Sequence, residues 1–247
     1  MKKRIDVLLV EKGLAPSRER AQSLILSGNV LVEDQPVTKP GTSIQEDAKI
    51  RIRGEDHPYV SRGGIKLAAA LDQFKISADG KVGLDVGAST GGFTHVMLLR
   101  GAIKVFAVDV GHNQLDWKIR KDPRVIVHEK VNARSMEFGI VGQTVDLIVM
   151  DLSFISLEKV LPALLQFSRA DTDWVSLVKP QFEVGREKVG KGGIVENLED
   201  RLEAVERVSR FAESLGLVRQ GLIESPITGA QGNQEFLAHW KRTGAML

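Results

Sequence analysis

The 247-residue chain has no cysteine, a single tyrosine and a net charge of only +2. Without cysteine there is no disulfide framework, no thiolate nucleophile and no zinc–thiolate site. The five histidines, at positions 57, 95, 112, 128 and 239, never fall into an HExxH spacing, so no metal centre is expected. No window approaches the roughly eighteen uninterrupted apolar residues of a membrane span. The opening MKKRIDVLLVEKG breaks its short apolar run at Glu11 and Lys12. Neither a secretory leader nor a membrane partner is expected, and a cytoplasmic protein fits these absences. Internal repeats and low-complexity tracts are missing too.

What is present is an ordinary globular composition, 43% hydrophobic and 27% charged, long enough to bury a sizeable core in more than one domain. With so small a net charge, attraction to a polyanion has to come from local clustering. The first twenty residues supply it: Lys2, Lys3, Arg4, Lys12, Arg18 and Arg20 stand against Asp6, Glu11 and Glu19, a locally basic end.

Residues 4–12 (RIDVLLVEK) suit a short amphipathic helix, and Ser17 caps a second helix through RERAQSLILSG that Gly28 stops. VLVED, Gln35-Pro36, VTKPGT and KIRIR then read as short strands around tight turns. A small α+β domain over residues 1–53, a polar linker over 54–60 and a larger domain over 61–247 follow from this punctuation. In the larger domain the runs KVGLDV, IKVFAVDV, RVIVH, VDLIVMD, WVSLV and LVRQGLIES alternate with helix-length segments. That alternation argues an α/β fold with a mostly parallel sheet buried on both faces. EFLAHWKR, after the loop PITGAQGNQ, is placed as a returning antiparallel strand.

The strongest local signal is LDVGASTGGFT, residues 84–94. It follows a predicted strand and opens a predicted helix, so Gly87, Gly91 and Gly92 let backbone approach a ligand at the carboxyl end of a strand. A dinucleotide turn requires G-x-G-x-x-G, whereas here Ser89 replaces a glycine and Asp85 opens the motif, giving D-x-G-x-x-x-G-G. The pattern favours S-adenosylmethionine over NAD, with Asp85, Gly87, Ser89, Thr90, Gly91 and Gly92 around it. Asp85 is expected near the cationic amino acid portion, and Asp109, ending the next strand, as acceptor for the ribose hydroxyls. Asn132, in VNARSM, either contacts the adenine edge or serves as a turn asparagine. Residues 185–191 match G-x-x-x-x-G-K, but Gly192 stands where a Mg²⁺-binding hydroxyl is needed, so a nucleotide triphosphatase is rejected. QFEVGREKVGKGG reads as a flexible basic loop over the pocket or as a solvated surface loop.

Four polar residues are expected on the sheet edge that carries the glycine turn. Asp151 and Lys179 end the runs VDLIVM and WVSLV, Lys66 lies on the helix before the first of these strands, and Glu235 opens the last. Two ammonium groups and two carboxylates balance in charge and suit a pocket for methyl transfer to a ribose hydroxyl. Such a transfer is an in-line displacement that needs alignment and a base. An ordinary lysine is neutral in only about one copy in a thousand near neutral pH, so a lysine base needs burial and a second cation beside it. Lys179 is the expected base, with Lys66 assisting it and orienting the hydroxyl. Asp151 is expected to align Lys179, and Glu235 to hold Lys66. Phe154 either stacks on the target base or fills the core.

With DVGASTGGFT, the tetrad resembles the FtsJ-like ribose 2′-O-methyltransferases, and VSRGGIKL, MDLSF, LVKPQFE and GNQEF resemble the TlyA or haemolysin A family. SRERAQSLILSGNVLVEDQPVTKPG resembles an S4 RNA-binding domain. The resemblance spans essentially the whole chain. It implies a Rossmann-like seven-stranded methyltransferase sheet behind a small S4-like domain. It also implies S-adenosylmethionine-dependent 2′-O-methylation of a cytidine in ribosomal RNA, with the short start pointing to the large subunit. Arg4, Arg18, Arg20 and Lys39 on the small domain then suit phosphate contacts. Two rivals are a base amino methyltransferase, whose proline-rich segment DLSF lacks, and an inert RNA-binding protein of the same fold.

Overall fold

The computed structural model describes residues 2–26, 28–52, 57–229 and 231–242; positions 53–56, across the expected domain end and linker, lie outside the described residues. Two compact units divide between Pro58 and Tyr59.

The smaller unit comprises β1 (Lys2–Arg4), α1 (Ile5–Glu11), α2 (Arg18–Leu26), β2 (Val30–Val32), β3 (Gln35–Pro36), β4 (Ser43–Gln45) and β5 (Ile50–Ile52). Ile5, Leu8 and Leu9 recur at helical spacing on α1 and share a core with Ala21, Leu24 and Ile25 of α2. Ser17 Oγ caps α2, accepting from the Arg20 amide at 3.2 Å. β2 is the centre of an antiparallel sheet with β3 and β5. The strand expected through VLVED stops at Val32, because Glu33 and Asp34 take φ of +47° and +64° and form a two-residue hairpin turn. VTKPGT, expected as a strand, is a loop: Pro40 has no amide for a ladder, and the Thr42 amide turns back to the Lys39 carbonyl at 3.0 Å. The strand there is β4 instead, antiparallel to β1. Its partner Lys2–Arg4 is all charged and carries no apolar alternation to announce it.

The larger unit comprises α3 (Gly63–Gln73), β6 (Val82–Val86), α4 (Gly92–Leu99), β7 (Lys104–Val108), α5 (Trp117–Arg120), β8 (Val125–His128), β9 (Leu147–Met150), α6 (Leu161–Leu164), β10 (Asp173–Val178), α7 (Pro180–Glu183), α8 (Leu198–Ser214), β11 (Leu217–Glu224) and β12 (Phe236–Arg242). Seven strands form one sheet in the order β11-β12-β10-β9-β6-β7-β8. Only β12 runs against its neighbours, as its place after the long loop suggested. Alternate residues feed opposite faces: Leu84, Phe106, Ile148 and Trp174 enter one core, Val105, Leu147, Val149 and Val175 the other. That period of two, with both faces buried, is why the strands read as continuous apolar runs.

Chain order reverses between β6 and β9. After β6 the chain proceeds through β7 and β8, then returns to add β9 on the other side of β6. Such a reversal opens a crevice at the carboxyl ends of the two strands, the usual ligand position in a doubly wound sheet. Among the described residues, no helix is long and apolar enough to cross a membrane.

Candidate active site

The glycine turn leaves β6 beside this crevice. Gly87 and Gly91 have φ of +85° and +92°, a region L side chains rarely occupy. A Cβ on Gly87 would also lie 2.7 Å from the Asp151 carbonyl oxygen, so the turn after β6 packs directly on the end of β9. Ser89, at φ +48°, and Thr90 are exposed at the turn's crest. Asp85, fully buried at the end of β6, receives the Thr94 amide at 2.9 Å and the Thr94 hydroxyl at 2.6 Å on Oδ2, capping α4 from outside the helix. Its Oδ1 is buried with no hydrogen-bond partner among the described residues. Burial pushes the carboxyl up to about 7, opposed by the Thr94 hydroxyl and reinforced by the charge of Asp151. A buried, unsatisfied acceptor is costly, and a cationic ligand group would satisfy it.

Asp109 follows β7. Its Oδ2 accepts from the Ser89 amide at 2.8 Å and its Oδ1 from the Gly111 amide at 2.6 Å, which fixes the carboxylate while leaving lone pairs for hydroxyl donors. Ser89, Asp109, Gly111, Gln114, Leu115 and Glu129 line one open recess. Gln114 and Leu115 belong to no motif in the sequence. Glu129 alone had a legible signal, as an acid just past the end of β8. Asn132 is exposed and serves as a turn residue, its Oδ1 accepting from the Arg134 amide at 3.0 Å.

The four polar residues form two ion pairs. Lys66, one helical turn into α3, bonds Glu235, and both are buried. Lys179 Nζ lies 2.7 Å from Asp151 Oδ1 and donates to Ser153 Oγ at 2.9 Å. Two observations bring the pairs to one place. Val178 is registered against Phe236, which sets Lys179 and Glu235 at the next step beyond the β10–β12 ladder. Gly63, one turn before Lys66, has Asp151 Oδ2 within 3.7 Å of where its Cβ would be. Gly229 supports Glu235 in a similar way, since a Cβ there would lie 2.5 Å from Oε1.

Phe154 does not fill the core. It is 90% exposed, takes φ of +64° and has its ring 5.1 Å from that of Phe182. The backbone of the loop from Asp151 turns it outward, an effect no local apolar pattern records. QFEVGREKVGKGG begins as helix α7 rather than as loop, and its Lys188 is paired with Asp200 and Glu203. In the small unit, Arg4 clasps buried Asp6 at 3.0 and 2.9 Å, and Arg18 reaches the same carboxylate at 3.0 Å. The Arg4 hydrogen bonds, more than offsetting burial, hold Asp6 well below the usual carboxylate range. Arg20 donates to the His57 carbonyl at 2.5 Å, and Lys39 is exposed.

Comparison with known proteins agrees with this architecture. Residues 59–242 match the FtsJ-like methyltransferase family and residues 3–50 the S4 domain family. The 16S/23S rRNA (cytidine-2′-O)-methyltransferase TlyA of Mycobacterium tuberculosis is 47% identical over 241 residues, 97% of this chain and 90% of that protein. The 23S rRNA (cytidine-2′-O)-methyltransferase TlyA of Campylobacter jejuni is 34% identical over 183 residues, 74% of this chain and 70% of that one. A solved "putative hemolysin" from Streptococcus thermophilus superposes with a TM-score of 0.78 at 43% identity, covering 99% of this chain and 90% of the other. The chain belongs to the TlyA or hemolysin A family of rRNA methyltransferases, with an S4 domain ahead of an FtsJ-like methyltransferase domain.

Proposed function

We propose that this protein transfers a methyl group from S-adenosylmethionine to the ribose 2′-oxygen of a cytidine in ribosomal RNA. The observation that carries it is the meeting of the Lys66–Glu235 and Lys179–Asp151 pairs on the sheet edge that bears the glycine turn. The cofactor fits the residues present. Asp85 Oδ1 is an orphaned buried acceptor for its cationic amino group, Asp109 is held with free lone pairs for its ribose, and Gly87 and Gly91 keep the turn free of side chains.

Bound there, S-adenosylmethionine supplies a sulfonium-activated methyl and one additional positive charge. The neutral amine form of Lys179 accepts the 2′-hydroxyl proton, and Asp151 and Ser153 aim its Nζ. Lys66, oriented by Glu235, hydrogen-bonds the attacking oxygen and favours its ionised form. Phe154, turned to solvent beside this site, stacks on the target base once it is lifted from its neighbours.

Phosphate contacts from Arg4, Arg18, Arg20 and Lys39 supply salt-dependent affinity and register. Arg4 and Arg18 do so while also neutralising Asp6. Both relatives described above have 23S RNA in their names, which favours the large subunit as the substrate. The Mycobacterium tuberculosis relative, aligned over nearly this whole chain, is also named for 16S RNA, so the small subunit belongs in the same assay. A ribosomal substrate places the protein in the cytoplasm. The test is to incubate isolated large and small subunits with labelled S-adenosylmethionine and map the product. Label on a cytidine 2′-oxygen is expected. Label on a base nitrogen, on protein, or on no RNA at all overturns the assignment.

A further inference from the structure

The loop from Asp151 to Leu157 is tied at both ends to a single short helix. At its start, Lys179, the residue preceding α7, holds Asp151 and Ser153 at 2.7 and 2.9 Å. At its end, Glu183, the last residue of α7, accepts from Ser156 Oγ at 2.6 Å and from the Leu157 amide at 2.9 Å. Between these anchors Phe154 combines a left-handed backbone with 90% exposure. Neither is favoured by the segment itself, so both have to be imposed by the surroundings.

Glu183 is 3% exposed, and no cation pairs with its carboxylate among the described residues. Arg207 touches only its backbone carbonyl, at 3.1 Å, and spends its guanidinium on Glu158 at 2.8 and 2.9 Å. Burial pushes the Glu183 carboxyl up to about 7; Ser156 and the Leu157 amide oppose this, Glu158 adds to it and Arg207 eases it. A buried acid without a counter-ion destabilises the fold, and among the described residues the groups that its carboxylate holds belong to the loop that carries Phe154.

We infer that Glu183 is a positioning residue for the RNA substrate, clamping the Asp151–Leu157 loop so that the Phe154 ring meets the target nucleotide in a fixed place. This rests on the methyl-transfer function proposed above.

The test compares wild type, Glu183→Ala, Glu183→Gln, Phe154→Ala and the Glu183→Ala/Phe154→Ala double variant. Each is assayed for kcat and KM with ribosomal subunits and for S-adenosylmethionine Kd by calorimetry. Glu183→Ala is expected to raise the RNA KM about five- to tenfold, the low end of one base–aromatic stack, with cofactor Kd unchanged. Glu183→Gln is expected to restore KM, since its carbonyl accepts from the Leu157 amide and its NH₂ donates to Ser156. In the Phe154→Ala background, Glu183→Ala is expected to add nothing. An unchanged RNA KM in Glu183→Ala, no rescue by Gln, or a full additive effect with Phe154→Ala overturns the clamp. Should Glu183→Ala fail to fold, Ser156→Ala removes one of the two bonds and is held to the same KM rise and the same loss of effect without Phe154. A wild type unable to methylate rRNA defeats the underlying function, whereas an active wild type with an unaltered Glu183→Ala defeats the clamp alone.

Discussion

At the amino edge of the large sheet, Asp173 is buried among Lys81 at 3.1 Å, Lys241 at 3.1 Å and His239 at 2.9 Å. Towards the carboxyl edge, Asp85 is buried with one oxygen that has no hydrogen-bond partner among the described residues. The two aspartates end up at opposite extremes. Burial alone would raise Asp173, but hydrogen bonds from His239, Lys81 and Lys241 prevail and hold it far below the carboxylate range. Among the described residues Asp85 has no such donors beyond Thr94, and burial raises it to about 7. A satisfied buried charge ties strands together, whereas an unsatisfied one on the ligand edge is tolerated for what it binds.

The largest effect expected is at the carboxyl edge. Lys179→Ala should lower kcat by about 10²–10⁴-fold, the scale of a general base, while calorimetry shows S-adenosylmethionine still bound. Retention of full kcat would remove Lys179 from the chemistry. At the other edge, Asp173→Ala should instead cost stability, about 1–3 kcal/mol for donors left without their acceptor. Lys241 is half exposed, which favours the lower half of that range. Chemical denaturation measures the loss, and kcat should stay within a few-fold of wild type.

The pH responses should have opposite signs. Asp85 keeps in the folded state a proton that the unfolded chain releases near its ordinary value of 3.8. Ligand-free stability should therefore fall between about pH 4 and 7 on its account, and Asp85→Asn should flatten that slope. A cationic ligand group favours the ionised form, so S-adenosylmethionine affinity should rise as pH passes through 7 in wild type but not in Asp85→Asn. Asp173 works the other way: its contribution is present above about pH 4 and is lost as pH falls below that. The smallest effect is expected in the small domain. Lys39→Ala should lower the slope of log affinity against log salt by about one with no change in melting. Arg18→Ala should shift both, because its guanidinium also serves Asp6.

Much of this was legible locally. The glycine turn and the alternating strands depend on neighbours a few positions apart, and they stand where the sequence pattern puts them. The small domain was harder. VTKPGT contains β-branched residues and is nevertheless a loop, while the charged Lys2–Arg4 is a strand, because there the pairing partner decides and not the segment. Phe154 shows the same limit at the site: an aromatic after a buried strand resembles a core residue, and only the backbone turn at its own position sends it to solvent.

The sequence by itself determined the two-domain organisation of helix, strand and turn, because backbone sterics and apolar periodicity act over short stretches of chain. Only the tertiary structure decided which charge meets which. Lys66 finds Glu235 across 169 positions, Arg4 and Arg18 converge on Asp6, and Glu183 takes hold of Ser156 and Leu157. Among the described residues, Asp85 is left with one unpartnered oxygen at the ligand edge. Electrostatic and hydrogen-bond partners are chosen by proximity in space, and for these residues proximity exists only after the sheet and its crossing helices have packed.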